Sequence, residues 1–462
     1  MVAETIAAIA TAYGAAGIGI VRISGEEAAE IAERVFKSKS GKKIKDLPTY
    51  QAVYGHIFDE ANNLIDEAIA LVMWAPHSFT GENVVELQCH GGAIILKKIL
   101  ELVLRAGARL AKPGEFSQRA FLNGRLDLSQ AEAILELINA KTELAANVAV
   151  NQLEGSLSQK IKQGRQIILE LIANLEVELD YPEEELELLN QQEKIQSIKD
   201  VLRIIENLLA TFKQGRILRE GLKAALIGQP NVGKSSLLNT LLKTKRAIVT
   251  DIPGTTRDII EEYYNLGGLP LILIDTAGIR KTTDPVEKLG VRKAQEIMEQ
   301  ADLIIYLLDL KVGLTAFDEE ILKQFSPEKI LLVGNKVDLV SEGAAKIMNV
   351  IQEKFSTYRC VLISATEQIG IKELEAEIKN FLFKESGEFD STVCLTNLRH
   401  KTALVKAQYA LKQALQAVIS GVPADLILID LKDGLDFLGE ITGEKVAEEI
   451  IDQIFARFCL GK

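Results

Sequence analysis

Gly228-Gln229-Pro230-Asn231-Val232-Gly233-Lys234-Ser235 is the stretch around which the rest of the chain is arranged. It fits the pattern G-x-x-x-x-G-K-[ST]. Its flanks fit too: Leu222 to Ile227 is apolar enough for a buried strand, and Ser236-Leu237-Leu238-Asn239 opens a helical pattern. A strand, a glycine loop and a helix N-terminus form a concave ring of backbone N–H groups suited to phosphate oxygens. At Gly228 and Gly233 a Cβ would block the close approach or the positive φ that such a turn requires. Lys234 is placed to reach the β- and γ-phosphates, and the Ser235 hydroxyl to ligate Mg²⁺.

The base is read further along. Asn335-Lys336-Val337-Asp338 follows the apolar run Ile330 to Val333, so it ends a strand where open α/β sheets bind ligands. The Asp338 carboxylate can accept hydrogen bonds from guanine N1–H and its exocyclic amine, whereas adenine presents a different edge. Asn335 can brace the loop and the stem of Lys336 can cover the base. Ser364-Ala365-Thr366, after the apolar Cys360 to Ile363, can support the base from the other side. In company with the phosphate loop, this set points to GTP.

Between these lies Leu271 to Ile274, followed by Asp275-Thr276-Ala277-Gly278. Asp275 can hold Mg²⁺ through water, and the Gly278 N–H can sense the γ-phosphate. Upstream, Gly254-Thr255-Thr256-Arg257-Asp258 is polar; Thr256 is the candidate second hydroxyl ligand of Mg²⁺, ordered only while the γ-phosphate is present. Where many GTPases carry a glutamine that orients the attacking water, this chain has Ile279, which cannot do so. Glu287 is the candidate replacement, with Arg280 and Asp284 as rivals. Spacing leaves Glu287 equally open to being a solvated charge at the start of a helix from about Glu287 to Glu299.

At 462 residues the chain has room for roughly three domains. An apolar content of 47% with 26% charged residues describes a globular protein. The net charge of −12 argues against broad adhesion to nucleic acid, so any RNA contact must be a local patch or rely on a partner. Four scattered cysteines, Cys89, Cys360, Cys394 and Cys459, suggest neither a disulfide framework nor a zinc site, and the chain reads as cytosolic. Residues 5–23 are apolar, but Glu4 stands where a leader would be basic and glycines interrupt the run, so neither a leader nor a membrane span is expected.

The N-terminal part reads as an α+β unit over residues 1–118. Strands are expected at about Thr5–Ala10, Gly17–Ile23, Gln51–Phe58, Glu67–Met73 and Val84–Cys89, with helices from Ser24 to Val35 and from Gly92 to Ala106. Three charged residues stand out: Arg22 and Glu86 within apolar strands, and Arg125 just beyond. Ordinary ion pairing would account for each, and together they could bind a small anionic ligand. From Leu126 to Leu179 the spacing of Leu157, Ile161, Ile168, Leu171, Leu175 and Leu179 predicts helix. A second helical stretch runs from Glu193 to about Phe212, and Lys213-Gln214-Gly215-Arg216 leads into an α/β GTPase unit over 219–383. Helical texture returns from about Asn397 to Phe458 within a last segment, 384–462. The GTPase unit therefore reads as inserted into one helical domain, 119–218 plus 384–462, with two independent bundles as the alternative. Cys459, after the last helix, reads on physical grounds as a small buried residue, and a flexible arm carrying a thiol to chemistry is the other possibility.

The whole chain resembles the MnmE (TrmE) family of GTPases, which modify the wobble uridine of certain tRNAs. The resemblance is carried by Gly19-Ile20-Val21-Arg22-Ile23-Ser24-Gly25, Ser78-Phe79-Thr80-Gly81-Glu82, Pro113-Gly114-Glu115-Phe116-Ser117 and Arg119-Ala120-Phe121-Leu122-Asn123. It continues through the GTPase motifs to Leu438-Gly439-Glu440-Ile441-Thr442-Gly443 and the terminal Cys459-Leu460-Gly461-Lys462. Departures are small: Leu460 where isoleucine is frequent, and Arg125 where some members have lysine, which keeps a cation in place.

The resemblance implies a multidomain fold, α+β and α/β: an N-terminal α+β domain that dimerises and binds 5-formyltetrahydrofolate or a related folate, an all-α domain, and an inserted Ras-like P-loop GTPase domain. Arg22, Glu86, Arg125 and Lys462 match the folate-contacting positions, and Cys459 matches a cysteine acting in modification. GTP would be held by Asn231, Val232, Gly233, Lys234, Ser235 and Ser236, by Thr250-Asp251-Ile252-Pro253-Gly254-Thr255-Thr256, by Asp275 to Gly278, and by the base-side residues above. A potassium ion, taking the part of an arginine finger, matches Asn231 with Thr250, Ile252 and Thr255, while Glu287 matches the water-orienting residue. Further implied are Lys234 in catalysis, a homodimer, and an FAD-dependent partner (MnmG, or GidA) forming a heterotetramer that modifies carbon 5 of the uridine. Two rival classes share the phosphate loop and N-K-x-D: a ribosome-assembly GTPase without covalent RNA chemistry, and a regulatory switch needing an external activator.

Overall fold

The computed structural model describes residues 4–12, 14–181, 189–244, 261–275, 299–340, 353, 357–383 and 393–462. The expectations placed on Thr250 to Thr256, on Thr276 to Gly278, and on Ile279, Arg280, Asp284 and Glu287 lie outside the described residues, and of Asp275 the backbone alone is described. Two compact units result, one of residues 1–135, 152–202 and 403–462, the other of 136–151 and 203–402.

The first unit contains a seven-stranded sheet: β1 (Ile6–Ile9), β2 (Ala16–Ser24), β3 (Phe36–Ser38), β4 (Ala52–Phe58), β5 (Leu64–Met73), β6 (Val84–Gly91) and β7 (Arg109–Leu110), in the order β3-β4-β5-β6-β2-β1-β7. Alternation decides which side is covered: Val21, Ile23, Ile57, Ala70, Val72 and Leu87 are buried against the helices Ala28–Val35 and Ala93–Arg105. Those helices supply Ile31, Ala32 and Val35, and Leu96, Ile99 and Val103. The expected strands and helices all form; β3 and β7 were not foreseen, because two or three residues are too few to show an alternation.

Helical sequence from before and after the phosphate loop shares this unit. Helix Ser156–Asp180 buries Leu157, Ile161, Ile168, Leu171 and Leu175 as their spacing predicts, whereas Leu179 is exposed at the fraying end. Gly164 of that helix faces Val201 and Leu438, and Arg165 donates through Nη1 to the Leu435 carbonyl at 2.6 Å, so it packs on helix Ala424–Thr442.

The second unit contains β8 (Leu222–Gly228), β9 (Glu261–Leu266), β10 (Leu269–Asp275), β11 (Leu303–Asp309), β12 (Ile330–Asn335) and β13 (Arg359–Leu362), in the order β13-β12-β11-β8-β10-β9. All neighbours are parallel except the β9–β10 pair at one edge. Strands β8, β11 and β12 are buried along nearly their whole length, as a sheet covered on both faces requires. The carboxyl ends of β8, β11 and β12 fall together in register, with Leu307 opposite Gly228 and Asp309 opposite Asn335. That is the crevice where such sheets take ligands.

One connection differs from expectation. Lys213 to Arg216, which lead into the GTPase unit beyond the helix expected to end near Phe212, are themselves part of helix Phe212–Glu220, which Gly221 ends at φ 91°. The helix forms because Phe212, Gly215, Ile217 and Leu218 make one buried face. At Gly215 a Cβ would lie 2.3 Å from the Leu395 carbonyl oxygen, so glycine lets the returning chain pass. Among the described residues, no helix is long and apolar enough to cross a membrane.

Candidate functional site

At the end of β8 the chain turns through Gly228 (φ 150°), Asn231 (φ 66°) and Gly233 (φ 101°) before helix Lys234–Thr244 begins. These positive angles aim successive backbone N–H groups inward. Tertiary packing also requires the glycines: a Cβ on Gly228 would lie 2.4 Å from the Leu307 carbonyl oxygen, and one on Gly233 would lie 2.3 Å from Asn335 Nδ2. The Lys234 ammonium donates to the carbonyls of Gly228 and Gln229 at 2.7 and 2.8 Å, which holds it over the loop. Asn231, Ser235 and Ser236 are exposed at the rim, and Val232 is buried beneath it.

The base-side residues are fastened to this loop. Asn335, 2% exposed, donates through Nδ2 to the Val232 carbonyl at 2.7 Å and accepts through Oδ1 from the Ala365 N–H at 3.0 Å. One side chain therefore joins the phosphate loop, N-K-x-D and the Ser364-Ala365-Thr366 turn. Lys336, at φ 67°, donates to the Asn231 carbonyl at 2.8 Å and pairs with Asp309 at 2.6 Å. Asp338 lies in the short turn Val337–Leu339, with its side chain exposed at the mouth. Ser364 Oγ bonds Thr366 Oγ1 at 3.2 Å, and Thr240 donates to the Ala365 carbonyl at 2.8 Å.

Sequence reasoning missed several supporting residues. Asp309 ends the apolar strand β11, the same signal that singled out Asp275, and it fixes Lys336. Gln229 donates to Thr315 Oγ1 at 2.6 Å and to Asp318 Oδ2 at 3.0 Å, and Tyr306 donates to Asp318 Oδ1 at 2.7 Å. Burial, followed by the Asp318 carboxylate, drives the Tyr306 phenol far above its ordinary range, so it stays a donor. Thr315 and Asp318 also form a reciprocal cap at the start of helix Ala316–Leu322. Nothing local marks Gln229 and Asp318 as partners, since 89 positions of chain separate them.

A second constellation forms in the first unit, where the C-terminus returns to the N-terminal sheet. Phe455 and Phe458 are buried, and the last turn closes with the Lys462 N–H on the Cys459 carbonyl at 3.3 Å. Gly461 adopts φ 90°, and a Cβ there would lie 2.2 Å from the Ile9 carbonyl oxygen. Arg22 donates through Nη1 to the Gly461 carbonyl at 3.4 Å and through Nε to Glu86 Oε1 at 2.8 Å. Arg22 and Glu86 are opposite each other in β2 and β6, both nearly buried. The Arg22 guanidinium also lies 5.3 Å from the Phe79 ring and 5.6 Å from that of Phe116. Arg125 stacks on Phe79 at 5.0 Å and donates to its carbonyl at 2.7 Å. Arg22, Glu86, Arg125 and the backbone before Lys462 are thus brought together.

Cys459 is exposed, which overturns the expectation of a small buried residue; Phe458 fills the apolar slot instead. The other three thiols are held protonated by burial: Cys89 and Cys394 are pushed up to about 12 and Cys360 to about 11.

The remaining motif residues brace this region. Arg119, 8% exposed, pairs with Glu82 at 3.0 Å and Glu115 at 3.1 Å, and Arg109 pairs with Glu115 at 2.6 Å. Ser24 bonds Thr80 and Glu82 at 2.8 and 2.7 Å.

With this geometry in place, sequence comparisons decide the family. The family model described as "MnmE helical domain" matches residues 128–459, and that described as "GTP-binding protein TrmE N-terminus" matches residues 5–125. The chain belongs to the MnmE family. Its curated relatives named "tRNA modification GTPase MnmE" include one from Alkaliphilus metalliredigens, 48% identical over 99% of both chains, and one from Clostridioides difficile, 49% identical over 99% of both. Among solved structures, Aquifex aeolicus Era is 31% identical over 41% of this chain and 66% of its own, with a TM-score of 0.30. As an MnmE-family chain it is a GTP hydrolase of tRNA modification, built from an N-terminal TrmE domain, a helical domain and a P-loop GTPase fold.

Proposed function

We propose that this chain is a potassium-activated GTPase that, with an FAD-dependent MnmG-type partner in a heterotetramer, modifies carbon 5 of the wobble uridine of certain tRNAs. The added group is of the aminomethyl type, and its carbon comes from a folate. The observation that carries this reading is the Arg22 guanidinium shared between Glu86 and the Gly461 carbonyl, because it sets the C-terminal cysteine segment beside a cationic, aromatic-walled site. The donor set fits a folate. Glu86 offers a carboxylate to the amine and N–H groups of a pterin, Phe79 and Phe116 offer flat faces, and Arg22, Arg125 and Lys462 offer cations to a carboxylate tail. A bound folate supplies the one-carbon unit. Exposed Cys459 is the nucleophile candidate of this chain.

In the GTPase unit the glycine turn suits phosphates, since Gly228, Asn231 and Gly233 hold positive φ and the Lys234 ammonium is held over the loop. Lys234 neutralises β- and γ-phosphate charge, Ser235 and Thr256 would hold Mg²⁺, and Asp338 fixes guanine. The Asn231 carboxamide, a hard oxygen donor on an exposed rim, would hold K⁺ with Thr250, Ile252 and Thr255; its charge acts on that developing in transfer, so it raises rate more than affinity. Glu287 orients the water that Ile279 cannot. The protein is proposed to work in the cytoplasm as a homodimer.

The deciding experiment is GTP turnover in potassium against sodium, with and without the FAD-dependent partner. Potassium should accelerate turnover in the protein alone, Asn231→Ala should abolish that response while keeping nucleotide binding, and Glu287→Ala should slow turnover about a hundredfold, or roughly 3 kcal/mol in the barrier. Equal rates in the two salts would reject the ion's role.

A further inference from the structure

The acidic chain carries one concentrated basic stretch. Between Arg34 and Lys45 there are six basic side chains, Arg34, Lys37, Lys39, Lys42, Lys43 and Lys45, and no acidic one, against a net charge of −12 for the whole. All six are exposed. Arg34 lies in the last turn of helix Ala28–Val35, and the five lysines lie on and after β3, the edge strand of the seven-stranded sheet, where Lys37 is paired in register with His56 of β4. Edge lysines by themselves keep a foreign strand from adding to a sheet. Two further features go beyond that role.

The first is an aromatic ladder. Tyr54, His56 and Phe58 alternate along β4 and so share a face, with ring centroids 5.7 and 6.2 Å apart. Tyr54 is 42% exposed. Lysines lie over rings of the ladder, Lys39 at 5.6 Å from the Tyr54 ring centroid and Lys37 at 4.8 Å from that of Phe58. The second is a surface pocket of about 250 Å³ lined by Lys37, Ser38, Gly41, Lys42 and Lys43, with Glu33 its one acid. Two polar groups orient the surface: Tyr54 donates to Glu67 and Lys37 to Asn62, each at 2.5 Å.

Stacking faces bordered by phosphate-seeking cations are what a protein offers to unpaired nucleotides, whose bases have π-faces and whose backbone is anionic. We propose that this sheet edge docks a single-stranded RNA segment, its bases against Tyr54, His56 and Phe58 and its phosphates along the lysines of residues 37–45. The inference rests on the tRNA-modification reading and gives the substrate a landing place on an otherwise repulsive protein.

The test uses the full chain and a fluorescein-labelled anticodon stem-loop RNA, with binding followed by anisotropy across a salt series. Log affinity of the unmodified protein should fall linearly with log salt. The combined Lys39→Glu, Lys42→Glu and Lys43→Glu variant should flatten that slope by about 2, at about 0.7 per phosphate on a single strand, and weaken binding at least tenfold at low salt. Tyr54→Ala should weaken binding about tenfold, while Tyr54→Phe, which keeps the ring, should bind as the unmodified protein does. Potassium-stimulated GTP hydrolysis, measured on the same samples, should be equal in all of them. An unaltered slope and affinity in the triple variant, or no RNA binding by the unmodified chain, overturns the proposal. Intact potassium stimulation would then leave the GTPase reading standing, whereas its loss in the unmodified chain would sink that reading independently. Retained RNA affinity with lost co-purification of the FAD-dependent partner would make the face a protein contact, and overturns the proposal equally.

Discussion

Lys336 donates its ammonium to the backbone carbonyl of Asn231 at 2.8 Å, with both residues at positive φ, 67° and 66°. The Asn335-Lys336-Val337-Asp338 loop is thereby fastened to the crest of the glycine loop. Asn335 makes the parallel connection from below through Val232. In the proposed GTP site, base and phosphate subsites would thus be held at a set separation, so that a nucleotide would meet both without ordering either.

Removing the lower connection should be felt at both subsites. Asn335→Ala leaves the Val232 carbonyl and the Ala365 N–H buried without their partner, which costs about 2–4 kcal/mol. Thermal unfolding and GTP titration should show a lower melting temperature together with weaker binding. A variant of normal stability and affinity would show that the connection is dispensable.

Selectivity should reside in Asp338. Asp338→Asn exchanges one acceptor for a donor, so GTP affinity should fall roughly tenfold to a hundredfold and xanthosine triphosphate should become the better ligand. Competition binding with the two nucleotides measures this, and unchanged guanine preference would remove Asp338 from the base site.

Gly461→Ala tests the C-terminal turn. The added Cβ would meet the Ile9 carbonyl at 2.2 Å in a left-handed conformation, so the terminal residues must move away from Arg22. Folate binding and tRNA modification should drop at least tenfold while GTP turnover persists. Full modification activity would mean that the turn can open freely.

Native thiol chemistry should pick out one cysteine. Burial holds Cys89, Cys360 and Cys394 protonated, whereas Cys459 is exposed. A maleimide near neutral pH should label a single site, mapped by mass spectrometry to Cys459. Cys459→Ser should keep GTP turnover and stop uridine modification; a folded variant that still modifies tRNA would return the residue to a packing role.

Acid stability should report Glu115. Burial alone would raise this carboxyl, but the Arg109 and Arg119 guanidiniums and the Lys112 N–H more than offset it and bring it from 4.5 down to about 2. A carboxyl depressed in the folded state contributes stability that is complete above about pH 4.5 and lost as pH falls toward about 2, here on the order of 2–3 kcal/mol. Urea unfolding of the unmodified chain should therefore weaken across that window, and Glu115→Gln should flatten the decline. Parallel curves for the two proteins would assign acid sensitivity elsewhere.

Much of this was legible in the sequence because the signals are local. A buried strand, a glycine turn and a helix start lie within Leu222 to Asn239, so the phosphate loop announces itself. The alternation in β2, β4, β5 and β6 and the spacing of Leu157 to Leu175 likewise follow from one face of each element meeting a core.

Tertiary structure decided what depends on distant segments meeting. Cys459 read as a buried small residue, yet the neighbouring Phe458 takes the slot because a larger apolar side chain gains more from burial. Lys213 to Arg216 read as leading into the GTPase unit, yet they form part of a helix whose Gly215 is buried against the Leu395 backbone. Arg22 could have been any ion-pair member; its meaning came from Glu86, 64 positions away, and Gly461, 439 positions away. The sequence by itself determined the elements and the nucleotide chemistry, since backbone propensity and periodicity act over a few residues. Only the folded chain showed how these charges meet, with Arg22 held between Glu86 and the Gly461 carbonyl, because closing such long loops is offset by burial of the cores alone, and no local pattern records the contact.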